Sequence, residues 1–148
     1  MTDINYPEVL PDDQETSESL AENQLYDFIT NQPVKDTPVE RVLQTIARAM
    51  VDEYDFDHTQ LQRDQAVVIQ VYDDQGKTRR VRRKIDVAVF AQGAQRGDQN
   101  KIIRACIVQA PGTKAGDPRK GVYLLEEVMG DLPACDYGVW TNGTDLVF

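Results

Sequence analysis

The chain has 148 residues, 41% hydrophobic and 28% charged, with a formal net charge of −9, a length that suits one ordinary domain with its own core. Two cysteines (Cys106 and Cys135) exclude a disulfide scaffold, and the single histidine, His58, leaves too few ligands to expect zinc. No apolar run approaches the ~20 residues of a membrane span, and the acidic start MTDINYPEVLPDD lacks the apolar stretch of a signal peptide, so the expectation is a cytoplasmic protein with reduced thiols.

Residues 1–18 are polar and acidic and read as an arm. In 19–30, Leu20, Gln24, Leu25, Phe28 and Ile29 recur near helical spacing, with Ser17 or Ser19 as a cap, which predicts a short helix. Asn31 to Pro38 reads as a linker, so residues 1–36 form an acidic arm with a short helix, and 37–148 the main domain. Thr37-Pro38-Val39-Glu40 is a helix start: Thr37 as N-cap, Pro38 in the first turn, Glu40 closing a capping box. Val39, Val42, Leu43, Ile46, Ala47, Met50 and Val51 mark its apolar stripe, ending near Glu53–Tyr54. The polar stretch DFDHTQLQRD reads as a connection.

From Ala66 the period changes. Ala66–Tyr72 is β-branched and predicts a strand, Asp73 to Gly76 a hairpin turn, and Thr78–Phe90 a long second strand. Ile102–Gln109 is almost continuously apolar and predicts a central third strand. Gly121–Met129 reads as a helix, Tyr137–Thr141 as a fourth strand, Asn142-Gly143 as a tight turn, and Leu146-Val147-Phe148 as the opening of a fifth strand. A run that breaks off there suggests the head of a longer protein. The expected fold class is α/β, a mixed sheet flanked by helices.

Charge is unevenly spread. Residues 1–60 carry a net −11, whereas 61–148 carry +2. Six of the eight residues from Lys77 to Lys84 are basic. Such a run is either a solvated strand or a surface for duplex DNA, with Arg79, Arg80, Arg82, Arg83 and Lys84 as the candidate contacts.

Asp86, inside an apolar strand, is the most informative residue, because an unpaired buried carboxylate costs several kcal/mol. It marks either a magnesium ligand or the partner of a cation such as Arg104. Cleaving a phosphodiester with magnesium asks for a second carboxylate and a lysine, and the third strand offers only Gln109 near its end. Glu126 and Glu127 read as a solvated helix face, and Trp140 as core. Neither cysteine has a histidine near it in sequence to activate it, and Gly93 and Gly97 are not followed by a phosphate-loop lysine.

The stretches RRVRRKIDVAVF, IIRACIVQAPGTK, GVYLLEEVMG and YGVWTNGTDLVF resemble the N-terminal domain of type I restriction enzyme R subunits, over roughly residues 38–148. A related domain heads some N-6 DNA methylase-type modification proteins. The resemblance implies the PD-(D/E)XK nuclease fold, here a restriction-endonuclease-like αβββαβ core with a helical N-terminal extension. It also implies an Asp on the second strand and Glu-x-Lys on the third, before an Ala-Pro-Gly turn. Asp86 takes the Asp position, Ile107 the Glu position and Gln109 the Lys position. Two of the three groups are therefore missing.

Three functions follow as expectations. The first is a non-catalytic nuclease-like domain of a DNA restriction-modification protein, without a cofactor, that contacts duplex DNA or a methylase or specificity subunit. The second is a magnesium-dependent endonuclease with relocated groups, Glu40 (or Glu126 or Glu127) as metal ligand beside Asp86 and Lys114 as the lysine. The third is a protein-interaction module that uses the acidic arm.

Overall fold

The computed structural model describes residues 20–148, and the expected arm over 1–18, with the Ser17 and Ser19 caps, lies outside them. The chain divides into two units, with the boundary between Asp36 and Thr37.

In the first unit, β1 (Gln24–Tyr26) and β2 (Pro33–Lys35) pair antiparallel. The helix expected over 19–30 and the linker after it are thus replaced by a hairpin. The cause is local turn chemistry. Asp27 Oδ2 accepts hydrogen bonds from the backbone N–H and the hydroxyl of Thr30, and Asn31 adopts φ 60. Asp and Asn favour such turns, and an isolated helix this short is marginal.

The second unit is built on α1 (Pro38–Asp52), β3 (Leu61–Tyr72), β4 (Thr78–Phe90), β5 (Ile102–Val108), α2 (Tyr123–Met129), β6 (Tyr137–Thr141) and β7 (Leu146–Val147). This is a mixed α/β fold. Its sheet runs β3-β4-β5-β6-β7, antiparallel except for β5 and β6, which are parallel. β5 is central, as its apolar run predicts.

Thr37 caps α1 by accepting the Glu40 N–H at 3.1 Å. Strand β3 starts earlier than expected, at Leu61, which is fully buried. The connection before it holds a 3-10 turn, His58–Gln60, closed by a capping box between Asp57 and Gln60.

Alternation along β5 assigns the two helices to opposite faces. Ala105 and Ile107 join a buried cluster with Leu125 and Val128 of α2. Cys106 and Val108 are buried outside that cluster. On their side lies the apolar stripe of α1, with Met50 close to Val139 and Ile46 close to Thr141. Gly138 lets α2 approach β6, since a Cβ there would lie 2.6 Å from both Leu125 Cδ1 and Met129 Sδ.

β4 pairs with β5 only from Val87 to Phe90, so Thr78–Ile85 pairs with β3 alone. The result is a two-stranded ribbon. Its outer edge is closed by side chains: the Gln99 amide both accepts from Val68 N–H and donates to Val68 C=O, at 2.9 Å each, and Asp131 accepts from Gln70 N–H. Such edges otherwise invite pairing with other chains.

Candidate functional site

A cluster of charged side chains lies where the ribbon leaves the sheet. Ile85 and Ala88 would face opposite ways in a regular strand, yet both join the same buried cluster. The pleat breaks between them. Opposite this break, Asp64 adopts φ 53, a left-handed conformation that Asp tolerates better than most residues.

Asp86 sits at the break. Its Oδ2 accepts the Val108 N–H at 2.7 Å, and its Oδ1 lies 3.3 Å from Lys84 Nζ. The same ammonium lies 3.6 Å from Asp64 Oδ1. Asp64 Oδ2 is 3.0 Å from Arg63 Nε. Arg63 in turn grips Glu40 with both terminal nitrogens, at 2.9 and 2.8 Å, and Gln44 donates to Glu40 at 2.8 Å. One chain of charges thus runs from α1 across β3 to β4.

Burial pushes the Asp86 carboxyl above the usual carboxylate range, against the pull of the Val108 N–H and Lys84. Burial also opposes the charge on Lys84, but Asp86 and Asp64 outweigh it and hold its ammonium above the usual lysine value. Asp86 therefore binds its proton more tightly in the folded than in the unfolded chain. Folding then takes up a proton above the ordinary carboxylate range, so this group's contribution to stability falls as pH rises through its raised value. Asp86→Asn keeps an oxygen for the Val108 N–H. Its stability relative to the parent is expected to rise between pH 4 and pH 7, read as urea midpoints. An unchanged difference at the two pH values would refute the raised value.

The residues singled out from sequence are only partly brought together. Lys84, a candidate DNA contact, takes part in the carboxylate chain and is 60% exposed. Arg83 pairs with Glu127 at 2.7 Å, so neither that arginine nor that glutamate is simply solvated. Arg79, Arg80 and Arg82 are exposed, and among the described residues no carboxylate lies within ion-pair distance of them. Arg104 does not pair with Asp86. Its guanidinium lies 5.4 Å from the Phe56 ring centre and 5.1 Å from that of Tyr137.

Glu40 does not close its capping box, because Arg63 holds its carboxylate. Gln109 lies just past β5 and is tied by its backbone N–H to Thr141 C=O. Lys114 is exposed in the turn after it and makes no ion pair among the described residues. Asp64 was not foreseen: it falls in a stretch that reads as a polar connection, and only the strand register sets it opposite Asp86.

The carboxylates of this chain are already engaged. Both Asp86 oxygens and both Glu40 oxygens already face N–H or ammonium groups, and the described residues hold no group of three potential metal ligands. The thiols are poor nucleophiles as well, since burial pushes Cys106 up to about 12 and Cys135 up to about 11. Among the described residues no helix is long and apolar enough to cross a membrane. No family model, curated protein or solved structure matches the chain.

Proposed function

We propose that the second unit is a non-catalytic, nuclease-like domain of a DNA restriction-modification protein, and that it contacts duplex DNA through its ribbon. The observation that carries this reading is the ribbon's cation distribution. Arg80 stands opposite Gln70 and Arg82 opposite Val68, on the ribbon face away from Val67, Ile69 and Val81, which pack on the core. Alternate residues on a strand lie about 7 Å apart. Arg80 and Arg82 make a pair of guanidinium groups with no carboxylate partner among the described residues, and Arg79, also exposed, falls on the ribbon's other face by the same alternation, on a chain whose net charge is −9. Two-stranded ribbons fit DNA grooves, and cations without counter-charges are free to displace the counterions of phosphates.

The order helix, three strands, helix, strand supports the nuclease-like part of the reading, as does Asp86 late in the second of these strands. The absence of catalysis rests on Ile107 and Gln109 and on the engaged carboxylates. A methylase or specificity subunit is the proposed protein partner, with the acidic arm as its dock. Lys84 beside Asp86 favours a second reading, an endonuclease that uses this lysine, but the carboxylates it needs are occupied.

Duplex binding by fluorescence anisotropy tests the proposal. Replacing Arg79, Arg80 and Arg82 with glutamine is expected to lower affinity and to flatten the log–log salt dependence by about 0.9 per lost phosphate contact. An unchanged slope and affinity would overturn the DNA contact. Plasmid cleavage in magnesium or manganese that disappears in Asp86→Asn would overturn the non-catalytic reading.

A further inference from the structure

On the α1 face of the sheet, away from the ribbon, lies a recess of about 270 Å³. Its floor is Met50 at the end of α1 and Val139 of β6, both buried. Tyr54, Phe56, Tyr137 and Phe148 bring four aromatic rings to its walls. Tyr137 and Phe148 are 64% and 70% exposed, unusual for rings that gather in one place. The single charged side chain in its lining is Arg104.

Arg104 is half-buried, and its guanidinium stacks against Phe56 and Tyr137. Its Nη1 donates to Ile103 C=O at 2.7 Å. Among the described residues no carboxylate pairs with it. A guanidinium packed among rings without a counter-charge loses water and gains no anion in return. Its remaining donors are suited to an oxyanion, while the rings around it are suited to the face of a flat, unsaturated body.

We infer that this recess binds a single unpaired nucleotide, its phosphate on Arg104 and its base against the exposed rings. Base-on-ring stacking beside an arginine is the usual chemistry of unpaired nucleotide recognition. The volume lies just under the usual range for small-ligand pockets, roughly 300–1,000 Å³, and so suits one base rather than an extended ligand. The site is independent of the ribbon, and neutralising Arg79, Arg80 and Arg82 leaves it intact.

Calorimetric titration of the full chain with uridine 5′-monophosphate tests the inference, with uridine, inorganic phosphate and benzoate as comparisons. The monophosphate is expected to bind at least about tenfold more tightly than either of its halves, because stacking and the charged contact act together. Tyr137→Ala and Arg104→Gln are each expected to weaken it by about tenfold, and Tyr137→Phe, which keeps the ring, by less than about twofold. Tyr72→Ala, on the ribbon, is expected to change nothing. Thermal melts identify folded variants, and if Arg104→Gln fails to fold, the exposed Tyr137 decides. The inference is overturned by no monophosphate binding at millimolar concentration, or by binding that a folded Tyr137→Ala variant retains in full. Benzoate binding as tightly as the monophosphate would also overturn it, by showing a site for aromatic carboxylates.

Discussion

Trp140→Ala is expected to destabilise the second unit by about 3–5 kcal/mol, the usual cost of emptying a large aromatic site in a packed core. Trp140 is fully buried on β6, between Ile107 of β5 and Val147 of β7, in the cluster that α2 closes. Its indole N–H donates to Lys120 C=O at 2.9 Å and so ties the chain ahead of α2 to the sheet. Truncation removes both the packing and this tie. Domains of this size hold on the order of 5–15 kcal/mol in total, so the loss takes a large share. Trp140→Phe retains most of the ring and loses the tie, with an expected cost nearer 1–2 kcal/mol, the usual range for a hydrogen bond plus a small cavity. Urea unfolding separates the two variants. Equal midpoints would mean that the hydrogen bond, not the ring volume, holds the site.

The parts of the fold that were legible in the sequence are those in which local chemistry and tertiary need agree. Thr37 and Pro38 mark a helix start that burial of Val42, Leu43 and Ile46 then secures. Asp73 accepts from the N–H groups of Gln75 and Lys77, and Gly76 adopts φ 78, so the ribbon turn is encoded in four residues. The hairpin of 24–35 was misread because Leu20, Leu25 and Ile29 span too few turns to separate a helix from two short strands, while the deciding residues, Asp27 and Asn31, are polar. At the site, Asp86, Glu40 and Lys84 were legible as candidates, but not the contacts that join them. What surrounds the Asp86 carboxylate depends on register. Asp64 is 22 positions away in the chain, and Val108 is 22 positions away on the other side, reached only after β4 bends off β5. The basic run showed its composition but not its division: Arg83 and Lys84 pair with carboxylates, whereas Arg79, Arg80 and Arg82 are exposed without a carboxylate partner among the described residues. Arg104 was invisible as a site, since its rings come from the connection after α1 and from β6.

Removing Arg63 is the other change of large expected effect, and it tests whether the charge chain holds the fold or only crosses it. Glu40 is 11% exposed and Arg63 16%, with two parallel contacts of 2.8 and 2.9 Å. Arg63→Met fills much of the same space but leaves Glu40 with Gln44 alone, and stranding one partner of a buried pair costs about 3–5 kcal/mol. The position of Glu40 in the first turn of α1 recovers part of this, since a helix start favours a negative charge by about 0.3–1 kcal/mol. A net loss of about 3 kcal/mol in urea unfolding is therefore expected. The double variant Glu40→Met/Arg63→Met is expected to recover most of that loss, because it removes both charges of the pair, while Asp64, which also loses Arg63, is half exposed and keeps Lys84. If the double variant is as unstable as the single one, the pair is not merely a compensated cost. Its geometry then holds α1 on the sheet, and Asp64 and Lys84 beside it owe their positions to that clamp. A recovered double variant that also shows the parent's pH response at Asp86 would separate the two halves of the chain, with the α1 pair serving stability and the Asp64–Lys84–Asp86 group keeping its own electrostatics.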